Sequence, residues 1–102
     1  MEKGLKILSW AEEDRPREKL LLKGRSSLSD AELVAILIGS GSSELSAVEL
    51  SKKILLHAGN DLNALAKLSV QELMQFKGIG EAKAISIVSA LELGRRRKNT
   101  ET

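Results

Sequence analysis

A chain of 102 residues is long enough for one domain with a buried core and short for two of ordinary size. It holds no cysteine and one histidine, His57, which excludes a disulfide framework, a thiolate metal site and most triad or zinc chemistry. The net charge of +2 is unevenly spread: residues 1–51 hold seven Lys/Arg against nine Asp/Glu and residues 52–102 nine against five, so the second half is the better side for a polyanion.

Aromatic residues make up 2% of the chain, Trp10 and Phe76 alone, and the β-branched residues are too scattered to build a sheet. An all-α domain of five to six short helices is expected. Residues 1–13 read as an N-terminal arm, with Leu5, Ile7 and Trp10 laid across the helical body. The N-terminus has no signal-peptide pattern and no apolar run reaches 18 residues, so a cytoplasmic location without a membrane partner is expected.

The first helix starts with Asp14 near its N-cap and Pro16 in its first turn, where the missing N–H costs nothing. It runs through Leu20, Leu21 and Leu22 and stops at Gly24. Three Ser-x-x-Glu boxes then mark three further starts: Ser29 with Glu32, Ser46 with Glu49, and Ser69 with Glu72. In such a box the hydroxyl accepts from the N3 amide and the carboxylate accepts from the N-cap amide, so two orphan donors are satisfied. The second helix is expected to carry Leu33, Ile36 and Leu37 inward and to end at Gly39. The third carries Ala47, Leu50, Ile54, Leu55 and Ala58 on one face, with Gly59 just past its end. Asp61 caps a short connector over 62–67. The fifth helix runs from Val70 to about Phe76 and stops at Gly78. The sixth follows Gly80, from Glu81 to about Arg95, with Ala84, Ile87, Val88 and Leu91 as its buried stripe. The helical domain is thus 14–95, followed by a flexible basic and polar tail over 96–102.

Two blocks of the sequence match. Leu28, Ser29, Glu32, Leu33 and Ile36 ahead of Gly39-Ser40-Gly41 parallel Leu68, Ser69, Glu72, Leu73 and Phe76 ahead of Gly78-Ile79-Gly80. Each block precedes a helix, and the connector separates them. This is a duplicated helix–Gly-x-Gly–helix unit with a degenerate first copy, or else two ordinary helix pairs that resemble each other by chance.

The second loop carries the chemistry. Gly78 and Gly80 permit positive φ and leave no Cβ in the way of an approaching backbone. Ile79 points back to the core and pins the hairpin, and Ala84 lets the two helices close. Gly80 precedes a helix whose first amides have no intrahelical acceptor, which with the helix dipole makes an anion site. Lys77 and Lys83 flank it and add charge, whereas Glu81 competes with a phosphate for the same amides. The candidate DNA-binding residues are therefore Lys77, Gly78, Ile79, Gly80, Glu81 and Lys83. Backbone contacts of this kind carry no base identity. Two to four neutralised phosphates imply weak binding with a log–log salt slope of roughly −2 to −4. The first loop has no lysine nearby and has Glu44 after it, so it is expected to be structural. The Arg95, Arg96, Arg97, Lys98 run is either a DNA contact or a solvated helix end.

The order Leu73, Phe76, Gly78, Ile79, Gly80, Ala84 resembles the helix-hairpin-helix family of DNA-binding motifs. That resemblance implies phosphate contact through hairpin amides, sometimes with a monovalent cation on its carbonyls, and otherwise no cofactor. The paired blocks look like the two-copy form of the motif. Trp10, the segment from Asp14 to Leu20, the segment from Leu28 to Leu37, the hairpin and the stretch from Ala90 to Arg96 together resemble the amino-terminal half of the bacterial RadC family. Members of that family continue into a JAB/MPN-type domain with a zinc hydrolase signature. The resemblance implies a DNA-associated module, cut from or lacking that domain, whose traditional label is DNA repair or recombination. No catalytic or metal-ligating residue is assigned to this chain, because no nucleophile, base and stabiliser can be assembled from it. The competing reading is an interaction scaffold that docks a protein or a downstream metallohydrolase domain. An exposed apolar patch at Ile79 or Val70 would favour the scaffold.

Overall fold

The computed structural model describes residues 15–100, with side chains over 15–98. The expected N-terminal arm with Trp10, and the Asp14 cap, lie outside the described residues. All regular structure within them is helical: α1 (Pro16–Lys23), a 3-10 turn (Arg25–Ser27), α2 (Asp30–Ile38), α3 (Ala47–His57), α4 (Leu62–Ala66), α5 (Val70–Leu73) and α6 (Glu81–Thr100).

The helix starts follow from local chemistry. Pro16 takes the first position of α1, with Arg15 at the N-cap contributing no side-chain bond. All three Ser-x-x-Glu boxes are closed in both directions. Ser29 Oγ accepts from Glu32 N at 3.2 Å, Ser46 Oγ from Glu49 N at 3.1 Å and Ser69 Oγ from Glu72 N at 3.0 Å. The reciprocal serine amides donate to the glutamates at 2.8–3.0 Å. Asp61 caps α4 through the Asn63 amide at 2.9 Å.

Those boxes make stability depend on acid. Glu32 and Glu72 are held below the ordinary carboxylate range, in each case first by the amide of the serine three residues earlier. Glu92 is brought down to about 2 by hydrogen bonds from Arg95 and then Arg96. A carboxylate whose pKa is lower folded than unfolded contributes stability above its unfolded value, and that contribution is lost as pH falls through the folded value. The thermal midpoint should therefore be flat from pH 7 to about 5 and fall between about pH 4.5 and 2. The double substitution E32Q/E72Q should shallow that fall while keeping the boxes, since glutamine caps from the same position. Circular-dichroism melts across the range check this, and an unchanged slope in the double variant contradicts it.

The core gathers Val34, Ala35 and Ile38 of α2, Leu50 and Ile54 of α3, Leu65 of α4, Leu73 of α5, Ile79 of the second loop, and Ala84 and Ile87 of α6. The expected inner face of α3 is buried in full, Ala47, Leu50, Ile54, Leu55 and Ala58 alike. The expectation for α2 needs correction. Leu33 is 41% exposed and Ile36 and Leu37 are half-buried, while Ala31, Val34, Ala35 and Ile38 form the buried stripe. This helix is apolar almost all round, so periodicity alone gives it no single phase. Packing resolves the choice, because Ala31 and Ala35 put small side chains on the face that meets its neighbours.

Two boundaries also differ. The α-helical part of α5 ends at Leu73, and the chain tightens into i→i+3 turns, Gln75 N to Glu72 O and Phe76 N to Leu73 O, both at 3.2 Å. That tightening brings Ile79 back to the core, where it is 4% exposed. At the other end α6 continues past Arg95 to Thr100. Gly94 stays helical without a positive φ, no proline follows it, and Glu92 pairs with Arg95 and Arg96, each at 2.9 Å. Cations in the last turns also suit the helix dipole.

Candidate nucleic-acid interface

The second hairpin closes through Ile79 N donating to Phe76 O at 3.0 Å and Ala84 N donating to Gly80 O at 3.1 Å. Phe76 is half-buried and meets the His57 ring edge-on at 5.4 Å, so the one histidine packs against the hairpin arm. Ala84 is fully buried, which lets the arms close as its size suggests.

The two glycines do different work. Gly78 has φ +99°, and a Cβ there would lie 2.8 Å from the Ser42 Cβ and 3.2 Å from Leu50 Cδ2. It is required by the protein itself, for both its backbone and its contact with the first loop. Gly80 lacks a positive φ, contrary to expectation, and a Cβ on it would meet nothing within 4 Å. Among the described glycines only Gly94 shares that freedom, and it sits on the exposed stretch of α6.

Gly80 also changes the helix start. α2, α3, α4 and α5 each have a side chain that accepts from their first amides. Glycine at the N-cap of α6 has no side chain to do so. The amides of Glu81, Ala82 and Lys83 therefore open a 20-residue helix from an exposed position without a cap of that kind. Glu81 is exposed in the first turn, as expected.

The lysines are placed differently from the sequence reading. Lys83 turns back and donates to three backbone carbonyls, Ser40 O at 2.8 Å, Gly78 O at 3.0 Å and Gly41 O at 3.3 Å. An ammonium has three N–H donors, so all are used. Lys77 Nζ lies 2.6 Å from Glu44 Oε1, in a pair whose side chains are 70% and 69% exposed. The Lys77 ammonium holds the Glu44 carboxyl below its ordinary range, by hydrogen bond first and charge second. So exposed an ion pair is screened by water and opens readily to a competing anion. The charge immediately at the hairpin is balanced, Lys77 and Lys83 against Glu44 and Glu81.

The first loop is therefore beside lysines in space, though not in sequence. It is closed on itself: Ser42 N donates to Leu45 O at 2.9 Å, and Ser42 Oγ accepts from Glu44 N and Leu45 N at 3.2 and 3.0 Å. Glu44, Ser42 and the carbonyls of Ser40 and Gly41 were not singled out from sequence as neighbours of the second hairpin. The available signal was the internal repeat, since two copies of one unit that share a core bring their equivalent loops together. Among the described residues, no group of three His, Asp or Glu side chains is placed to hold a metal ion, and no helix is long and apolar enough to cross a membrane.

Comparison with known proteins adds a family. A family model described as UPF0758 N-terminal matches residues 7–85. A UPF0758 protein of Flavobacterium johnsoniae is 66% identical over 92 residues, 90% of this chain and 40% of that protein. One from Syntrophomonas wolfei is 47% identical over 92 residues, covering 90% and 39%, and one from Rubrobacter xylanophilus is 56% identical over 82 residues, covering 80% and 36%. The chain thus spans about two fifths of the length of these curated relatives. No solved structure matches it at a significant level.

Proposed function

The chain belongs to the UPF0758 N-terminal family, the family its RadC resemblance indicated, and from that premise we propose that it is a DNA-binding module. It grips the sugar-phosphate backbone through the amides at the start of α6. The observation that carries this reading is Gly80. Neither strain nor packing inside the protein calls for glycine there, since a Cβ on it would meet nothing within 4 Å, yet glycine brings no N-cap side chain to accept from the first amides of α6. A phosphate oxygen is the acceptor such a site suits. Gly78, Ile79 and Lys83 hold the loop, and Lys77 is the lysine free to exchange Glu44 for a phosphate. With the local charge balanced, binding is weak, salt-dependent and indifferent to base sequence.

A role in DNA repair or recombination, a cytoplasmic location beside the bacterial chromosome, and linkage to a JAB/MPN-type domain in longer relatives all belong to this proposal. So does the absence of catalysis by the helical module itself. The scaffold reading finds little at the hairpin, where Ile79 is buried and Val70 half-buried, although Met74 and Ile85 are exposed on its arms. Its better support is α1, where Leu21 and Leu22 are 85% and 84% exposed.

Titrating the isotope-labelled chain with a short DNA duplex at low salt, and again at higher salt, separates the two readings. Amide shifts centred on residues 78–83 that salt reverses, with a log–log slope of roughly −2 to −4, are the expected result. An intact spectrum that does not move under excess DNA sinks the DNA reading and leaves α1 as the surface to pursue with protein partners.

A further inference from the structure

Lys83 is the third residue of α6, yet its ammonium does not reach ahead of the helix towards an incoming anion. It lies between the two glycine loops, bonded to the Ser40 and Gly41 carbonyls of the first and the Gly78 carbonyl of the second. The loops touch at the same place, since Gly78 has no room for a Cβ against Ser42. Three carbonyl dipoles that converge on one point repel each other unless a cation stands among them, and here that cation is the Lys83 ammonium, with one N–H for each oxygen. All three oxygens lie outside regular helix, so Lys83 is what satisfies them together.

We infer that Lys83 is a positioning residue: its ammonium locks the first loop to the second and so fixes where the amides of residues 80–83 face, without itself touching phosphate. The functional arm of this inference rests on the DNA reading; its structural arm does not. It gives the degenerate first loop a purpose, as the acceptor half of a clasp whose donor half belongs to the second hairpin.

Lys83→Met keeps the stem and removes the charge and the donors. Its amide spectrum should shift at residues 40–42 and 78–80 together while the core signals stay in place. DNA affinity should fall about tenfold, the scale of one lost charged hydrogen bond, with the salt slope unchanged. Loss of a direct phosphate ligand would instead flatten the slope by about 0.9. Lys83→Ala opens the cage to a small cation. Methylammonium, with three N–H donors, should restore the loop shifts and the affinity; tetramethylammonium at equal ionic strength, with the same charge and no donor, should not. A flattened slope with unmoved loop amides overturns the inference, and so does equal behaviour in the two ammonium salts. If the parent chain binds no DNA, the loop shifts and their rescue still decide the clasp, so the two failures are told apart.

Discussion

Replacing Gly80 with aspartate will raise the thermal midpoint of the domain by about 1–3 °C and lower its affinity for short duplex DNA about tenfold or more at low salt. The stability gain follows from what the other helices already do. α2, α3 and α5 begin with serine and α4 with aspartate, each accepting from the amides that follow. A side-chain cap in place of glycine contributes a few tenths of a kcal/mol, and a domain of this size moves about 4–8 °C per kcal/mol. Room for the new side chain exists, since a Cβ at Gly80 meets nothing within 4 Å and φ lies outside the left-handed region. The affinity loss has the same origin. An amide that donates to its own cap cannot donate to a phosphate, and the carboxylate adds a like charge at the anion site. Gly80→Ser separates the two causes, because it caps without the charge and should weaken binding less. Melting curves and anisotropy titrations on the same preparations read both effects. A stabilised variant that still binds DNA at parental strength would remove the α6 amides from the interface and move attention to the exposed run from Arg95 to Lys98.

This opposition of stability and binding was partly legible in the sequence. The Ser-x-x-Glu boxes and the Gly-x-Gly hairpin are local devices whose partners sit three or four residues away, so spacing alone identifies them. The buried stripe of α3 was equally plain, because polar residues fill its other faces. α2 was not, since Leu33, Ile36 and Leu37 look as apolar as the residues that are buried, and only the small size of Ala31 and Ala35 marks the true contact face. The lysines show a different limit. Lys83 finds two of its three acceptors 42 and 43 residues away and Lys77 finds Glu44 at a separation of 33. No local pattern encodes those distances. The repeat hinted at them, because it pairs the loops, but it does not say that one copy would lend its carbonyls to the other copy's lysine.

Such a division of labour implies that the hairpin glycines are not equivalent. In the sequence pattern Gly78 and Gly80 are a matched pair. In the fold Gly78 and Gly41 are packing positions, where another backbone or side chain occupies the space a Cβ needs. Gly80 alone is held open towards solvent at a helix start. The chemistry of a motif and the packing needs of one chain can thus ask for the same residue type on different grounds, and substitution separates them by sign.

Gly78→Ala is therefore expected to destabilise the domain by about 2–4 kcal/mol, from the left-handed backbone and the overlap with Ser42 and Leu50 together. That corresponds to a fall in thermal midpoint of about 8–32 °C. Gly41→Ala should cost more. A Cβ there would overlap the Leu45 carbonyl oxygen and stand 2.5 Å from Ser46 C and 2.8 Å from Ala47 N, all backbone of the turn that leads into α3. Backbone cannot rotate away as a flexible side chain can, so the turn itself must open, and with it the Ser46 cap. The same chemical change has the opposite sign at Gly94, which lies on the exposed length of α6 with nothing within 4 Å. Alanine there should stabilise by up to about 1 kcal/mol, the ordinary helix-propensity difference. Thermal melts of the three variants side by side check the ranking, Gly41 below Gly78, both below the parent, and Gly94 above it. A Gly78→Ala chain that melts with the parent would mean that the two loops do not meet at Ser42, and the clasp built on Lys83 would lose the contact that brings its carbonyls together.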